Sequence, residues 1–190
     1  SSLLADSSYY DIVRVNADEY WVGGKYGILK KLSAVGALSN IDGFPNQGTH
    51  LLKLMVFPDS DVMICGDKGS VYKYTAASGQ WSFRQVPGYS DRCFYSMAAV
   101  DDSTVFLCGG SSNTSRGERT IPMGFILKSS DRGKTWTEVY RNRMFMIWDL
   151  CYEPGTGSIQ ALAYSPVGTH IMRSDKQGGE WKKKEFYPFI

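Results

Sequence analysis

The 190-residue chain has no apolar run approaching the roughly 20 residues needed to cross a bilayer. No charged-then-apolar leader precedes Ser1, so the chain is expected not to be membrane-embedded. The missing initiator Met points to a processed, trimmed or tagged start. Histidine is scarce, with only His50 and His170, and the four cysteines contain no C-x-x-C. Cys65, Cys93, Cys108 and Cys151 lie 28, 15 and 43 residues apart, spacings that do not suit zinc. No metal site and no cofactor is expected. Cys65 and Cys108 each end an apolar strand just before Gly, the setting of a buried thiol, which leaves the redox compartment open. Nor is there an excess of one charge. A net +2 with pI near 8.3 is too mild to imply nucleic acid as a partner, and no nucleic-acid module motif occurs.

What the chain does have is 14% aromatic residues and 20 glycines, a mix expected of short strands and tight turns. Its length allows one domain, 1–190. Four segments repeat one grammar: an apolar strand, an acidic or Pro/Gly turn, a second strand, a Gly-containing loop, then a third strand. The third strands open at Gly27, Gly69, Gly124 and Gly168, spaced 42, 55 and 44 residues apart. Trp81, Trp136 and Trp181 mark the fourth strands, 55 and 45 apart. A period near 44 residues with four strands per unit predicts an all-β fold, a β-propeller of four-stranded antiparallel blades. The blades are placed at approximately 9–48, 49–90, 91–143 and 144–190, each with its first strand innermost. The longer third repeat carries a polar insertion over Ser111 to Pro122.

The stretch Ser129-Ser130-Asp131-Arg132-Gly133-Lys134-Thr135-Trp136 reads as a hairpin with a specialised turn. Gly133 can take positive φ, and Asp131 and Ser129 can accept backbone N–H bonds that the turn leaves open. Thr135 and Trp136 restart a strand, with the indole available for burial. This octet resembles the Asp-box (BNR repeat) of β-propellers. Together with W-V-G-G-x-Y-G-I-L from Trp21 to Leu29, it most resembles photosystem II stability/assembly factors of the Ycf48-like type. Repeat four keeps Ser174, Gly178 and Trp181 with its Asp displaced by one; repeat two keeps Gly79 and Trp81. Repeat one has only a loop-like stretch from Leu32 to Gly48. The resemblance implies that Ser129, Asp131, Gly133, Thr135, Trp136, Ser174, Gly178 and Trp181 are structural.

Other groups could carry chemistry. Arg119-Thr120-Ile121-Pro122 resembles the R-I-P element of sialidases, but an extra Thr intervenes and no Tyr/Glu nucleophile pair can be placed. The carboxylate pairs Asp18/Glu19, Asp59/Asp61 and Asp101/Asp102 recur at the A–B turn, where Asp is favoured for local hydrogen bonding. In a meander, the A–B and C–D turns share one end and the B–C and D–A loops the other. The second end collects Lys25, Lys68, Arg92, Arg116, Arg119, Arg141 and Arg143, with Tyr26, Tyr89 and Tyr164 near them. These seven are the candidate partner-binding residues, suited to an acidic protein segment or a carboxylated ligand. Lys182-Lys183-Lys184 reads as a charged edge that resists aggregation.

The expected function is a non-enzymatic, assembly-factor-like propeller that binds a protein partner through the B–C/D–A end. A glycan-active or glycan-binding propeller is the alternative. The resemblance implies a secreted, periplasmic or thylakoid-lumenal location, with which the sequon at Asn113 is compatible. Four blades leave three arrangements open, part of a longer propeller, a closed four-bladed ring or half of an assembly, and an unclosed propeller would present edge strands that invite pairing with further blades or a second copy.

Overall fold

A computed structural model describes residues 8–111 and 123–188, with side chains through Lys183. Arg116, Arg119, the Asn113 sequon, the 112–122 part of the expected insertion and the Lys184 side chain lie outside the described residues. The backbone groups into two compact units, Ser1–Ser90 and Asp91–Ile190. Each unit contains two four-stranded antiparallel sheets, so the fold is all-β and the sheets are propeller blades.

In the first unit, blade 1 comprises β1 (Tyr9–Arg14), β2 (Glu19–Gly24), β3 (Leu29–Ser33) and β4 (Leu38–Asn40). Blade 2 comprises β5 (Leu51–Val56), β6 (Val62–Gly66), β7 (Ser70–Thr75) and β8 (Gln80–Gln85). In the second unit, blade 3 comprises β9 (Arg92–Ala99), β10 (Val105–Ser111), β11 (Gly124–Ser129) and β12 (Thr137–Asn142). Blade 4 comprises β13 (Met146–Glu153), β14 (Ser158–Ser165), β15 (Gly168–Asp175) and β16 (Lys182–Pro188). Every sheet is a simple meander in chain order.

One sequence expectation needs correction. The loop-like stretch of repeat one holds a short fourth strand, with Leu32 opposite Leu38 and Lys30 opposite Asn40. Ser33 N–H donates to Ala37 O across a turn that Gly36 makes possible at φ +85°. With no Trp and no acidic turn residue, the strand left no pattern to read.

Three glycines of the second strands have a shared cause. A Cβ on Gly24, Gly66 or Gly109 would lie 2.0, 1.8 or 2.0 Å from the carbonyl oxygen of Ser8, His50 or Cys93. Each of those carbonyls belongs to chain entering the blade's first strand, where the pairing also slips register. Only glycine admits the backbone that closely.

Within each unit the second blade packs its first strand on the first blade: β5 against β1 and β2, and β13 against β9, β10 and β11. In the first unit, Trp21, Leu51, Leu54, Val62, Ile64 and Tyr72 form the core. Trp81 stacks on Trp21 with centroids 5.5 Å apart. In the second, Phe106, Ile126, Ile147, Ile159, Ala161 and Met172 form it, with Trp181 and Tyr140 packed alongside. Polar bonds join the blades within each unit as well. Leu54 N–H donates to Asp11 Oδ2 at 2.7 Å, and the Ser96 hydroxyl donates to Asp149 Oδ1 at 2.6 Å. Cys65, Cys93 and Cys108 are buried thiols and Cys151 is exposed; none forms a disulfide.

Burial along the second strands differs between blades. All residues of β6 and β10 are buried, so both faces are covered. Along β14 and β15 burial alternates, leaving Leu162 and Tyr164 exposed on one face of blade 4.

Candidate functional site

The turns at the A–B/C–D ends are built around carboxylates and hydroxyls. In the hairpin joining β11 to β12, the Ser129 hydroxyl donates to Asp131 Oδ1 at 2.7 Å and accepts Gly133 N–H at 2.7 Å. Asp131 Oδ1 accepts Thr135 N–H at 2.8 Å, and Oδ2 accepts the Thr135 hydroxyl at 2.6 Å. Arg132 and Gly133 both take positive φ. Burial opposes ionisation of Asp131, but the bonds from Thr135, Ser129 and Lys134 outweigh it and hold the carboxyl down at about 2. Trp136 is half-buried.

In blade 4, Asp175 stands one residue earlier yet still caps its turn, accepting Gln177 N–H at 2.9 Å. The displaced Asp leaves the buried Ser174 hydroxyl without a hydrogen-bond partner among the described residues. Gly178, at φ +70°, passes so close over Phe106 that a Cβ would lie 2.5 Å from the ring. Trp181 packs on the core of its unit.

The A–B carboxylates do the same work. Asp101 Oδ1 accepts Ser103 and Thr104 N–H at 2.9 and 2.7 Å; the Ser103 bond first, then the others, lower its pKa against the effect of burial. Asp61 accepts Ala76 N–H at 2.9 Å and meets Lys73 at 3.3 Å. Asp175 and Glu180 border a shallow cleft in blade 4, but Asp175 is a turn cap and Glu180 is paired with Lys182 at 3.2 Å. These carboxylates are occupied as caps and ion partners at the end opposite the expected site.

The B–C/D–A ends are different in kind. In the first unit, Lys25 and Tyr26 lie in a single 3-10 turn, Lys25–Gly27, with Tyr26 at φ 55°. Tyr26 N–H donates to His50 Nδ1 at 3.0 Å, which places the imidazole hydrogen on Nε2. Lys25 Nζ lies 4.8 Å from the Tyr26 ring centre, a cation–π contact, and Tyr10 meets the His50 ring edge-on at 6.2 Å. Lys68 sits in the blade 2 B–C loop at φ 54°, its carbonyl accepting from Gln85.

In the second unit, Arg92 opens β9 and pairs with Asp91 at 3.3 Å. Arg141 grips Glu138 through Nε at 2.8 and 2.9 Å, and its Nη1 approaches Met123 Sδ at 3.1 Å. Arg143 is exposed in the loop between β12 and β13. Two of the candidate arginines are therefore tied to carboxylates beside them.

The more prominent feature of this end is apolar. Trp148 of β13 stacks on Tyr95 of β9 at 4.4 Å, and Tyr164 of β14 meets it edge-on at 6.5 Å. The Tyr95 hydroxyl donates to Ser111 O at 3.0 Å, and burial pushes its pKa up. Beside them, Met144, Phe145, Pro166, Val167, His170 and Lys183 line a groove of about 510 Å³. Among the described residues, every aromatic side chain with a large exposed surface, namely Tyr10, Tyr26, Trp148 and Tyr164, lies at a B–C/D–A end. Val35 and Leu38 are the exposed aliphatics of the opposite end. Sequence reasoning named Tyr26 and Tyr164 but missed Tyr95, Trp148 and the groove. No three His, Cys, Asp or Glu side chains among the described residues cluster as metal ligands. No described helix is long and apolar enough to cross a membrane.

No family model matches the sequence, and no curated protein is significantly similar to it. Solved structures do share the fold. The structure described as YCF48 bound to D1 peptide superposes with TM-score 0.65 at 14% identity, over 94% of this chain and 53% of that one. The Dos1 propeller matches with TM-score 0.65 at 12% identity, over 96% of this chain and 48% of that one. The GH74 enzyme of Niastella koreensis matches with TM-score 0.62 at 14% identity, over 83% of this chain but 27% of that one. The chain thus spans about half the length of the first two propellers and about a quarter of the third.

Proposed function

We propose that the chain is a non-enzymatic β-propeller interaction domain of the assembly-factor kind, binding a partner protein through its B–C/D–A loops. The carrying observation is the segregation just described: exposed aromatic rings at those ends, and carboxylates engaged as turn caps at the others. Exposed rings with few rotatable bonds are what protein interfaces use as anchors. A structural neighbour of the same fold is a propeller bound to a peptide, which supports this reading. On it, the octet 129–136 is an Asp-box with a purely structural role, and the lysines and arginines around the rings favour acidic partners.

Photo-crosslinking tests the face. A photoreactive residue at Tyr26 or Met144 should form protein adducts in the native extract, and one at Val35 or Asp102 should not. Adducts from the second pair alone would overturn the assignment. The glycan-binding alternative draws on the same rings, since the Trp148 face is open to a sugar as well as to a side chain. A glycan array that lights up while crosslinking fails would move the conclusion there.

A further inference from the structure

The packing of one blade on the next follows a rule that repeats in both units. Pairing of each first strand with its second skips one residue, at Tyr10, Leu52, Tyr95 and Trp148, which aligns the four first strands. The residue just after the skip in the leading blade accepts a hydrogen bond from the following blade, from the second residue after its skip. Asp11 Oδ2 accepts Leu54 N–H at 2.7 Å, and the Ser96 hydroxyl accepts Leu150 N–H at 3.4 Å. At the acceptor position blade 2 has Lys53, a donor, which pairs back to Asp11 at 3.5 Å. The donating residue's side chain then covers the second-strand residue opposite the acceptor. Leu54 sits so close over Gly23 that a Cβ there would lie 2.6 Å from its Cδ1, and Leu150 shares a core cluster with Cys108.

Both halves of a further contact of this kind stand open. In blade 4 the acceptor is Asp149, exposed, with Oδ1 taking the bonds from Ser96 and Leu150 and Oδ2 taking none among the described residues. Opposite it is Leu162, 42% exposed, at a shallow hollow of about 180 Å³ lined also by Cys151, Gln160 and Ile171. In blade 1 the residue that corresponds to Leu54 and Leu150 is Ile12, 54% exposed. Its neighbours Asp11 and Val13 are turned to blade 2, so Ile12 stands on the other face. We propose that the outer face of blade 4 is the docking site for blade 1 of a second copy of this chain. Ile12 of the second copy enters the hollow over Leu162, and its N–H meets Asp149 Oδ2. The contact continues the one already made twice, between blades 1 and 2 and between blades 3 and 4. Each copy carries both halves once, so two copies joined reciprocally form a two-fold dimer of eight blades. That number agrees with the length of the two propellers of the same fold of which this chain spans 53% and 48%.

The test is sedimentation equilibrium of the chain over a wide concentration range. The mass should rise from 21.2 kDa toward twice that value. Leu162→Asp and Ile12→Lys, each at an exposed position, should each raise the dissociation constant at least tenfold, because each buries a charge without a partner in the contact. Mixing the two variants should restore the dimer, since one of its contacts is then native and the other pairs the two introduced charges. Circular dichroism of each variant should keep the wild-type strand signal. Where one does not, Leu162→Thr or Ile12→Thr, which retains a strand former, takes its place in the mass measurement. A chain that stays monomeric throughout overturns the proposal. So does an assembly that either substitution leaves intact, or a pair of charged variants that does not associate on mixing.

Discussion

The Asp131 carboxylate and Thr135 share two hydrogen bonds, Thr135 N–H to Oδ1 at 2.8 Å and the Thr135 hydroxyl to Oδ2 at 2.6 Å. One side chain thereby fixes both ends of a seven-residue connection between β11 and β12. Removing it in Asp131→Ala should cost about 0.5–2 kcal/mol, the range for side-chain caps of backbone N–H groups. Calorimetry should show this with no independent loss of binding. A binding defect at unchanged melting temperature would give the octet a role in recognition.

The same carboxylate makes a pH prediction. Its folded pKa of about 2 lies below that of an unfolded Asp at about 3.9, so the native state favours the ionised form. Its contribution is fully present above about pH 4 and is lost as pH falls toward 2. Acid titration of wild type and Asp131→Ala should show their stabilities converging across that window. A gap that stays constant from pH 6 to pH 2 would contradict the assignment.

Gly109 gives a sharper structural test. Its missing Cβ would stand 2.0 Å from Cys93 O, a backbone atom that cannot rotate away. Gly109→Ala should therefore cost about 1–3 kcal/mol, as overpacking does. Gly155→Ala, in a turn with nothing within 4 Å of its Cβ, should be close to neutral. Chemical denaturation of the pair decides it, and equal midpoints would sink the close-approach explanation.

Much of this architecture was legible in the sequence because its signals are local. The Gly at the start of each third strand and the turn acids recur with a period near 44 residues, lengthened only in repeat three, and the octet carries its own hydrogen-bonding partners within seven residues. The site was less legible because its contacts are not local. Tyr95 and Trp148 stack across two blades, and Phe145, in the loop before β13, meets His170 of β15. Met144 and Val167 sit in short loops where an isolated apolar residue carries no period. The arginines show how a single irregularity defeats pattern reading. Glu138 and Arg141 are three apart and would face opposite sides of a regular strand. The pairing of β11 with β12 passes from Tyr140 to Glu138 and skips Val139, so a bulge returns the two to one face, where they join.

That bulge leads to the last prediction, about which arginine acts on a partner. Arg141 is held by Glu138, and Arg143, two residues on, is exposed at the loop. An exposed pair of this kind contributes about 0.2–1 kcal/mol, so breaking it costs little stability. Its electrostatic consequence is larger: the Glu138 carboxylate already offsets the Arg141 charge seen by an approaching acidic segment. Arg143→Glu should therefore slow capture of an acidic peptide at low salt more than Arg141→Glu does. The difference should shrink at physiological ionic strength, where exposed charges are screened beyond roughly 8 Å. Glu138→Gln should do the opposite, releasing the Arg141 charge and speeding association, with dissociation nearly unchanged because rim charges act chiefly on the association rate. Stopped-flow association at two salt concentrations measures all three variants. Equal effects of the two arginine reversals, or a slower rate in Glu138→Gln, would show that charge offset by Glu138 does not govern the approach.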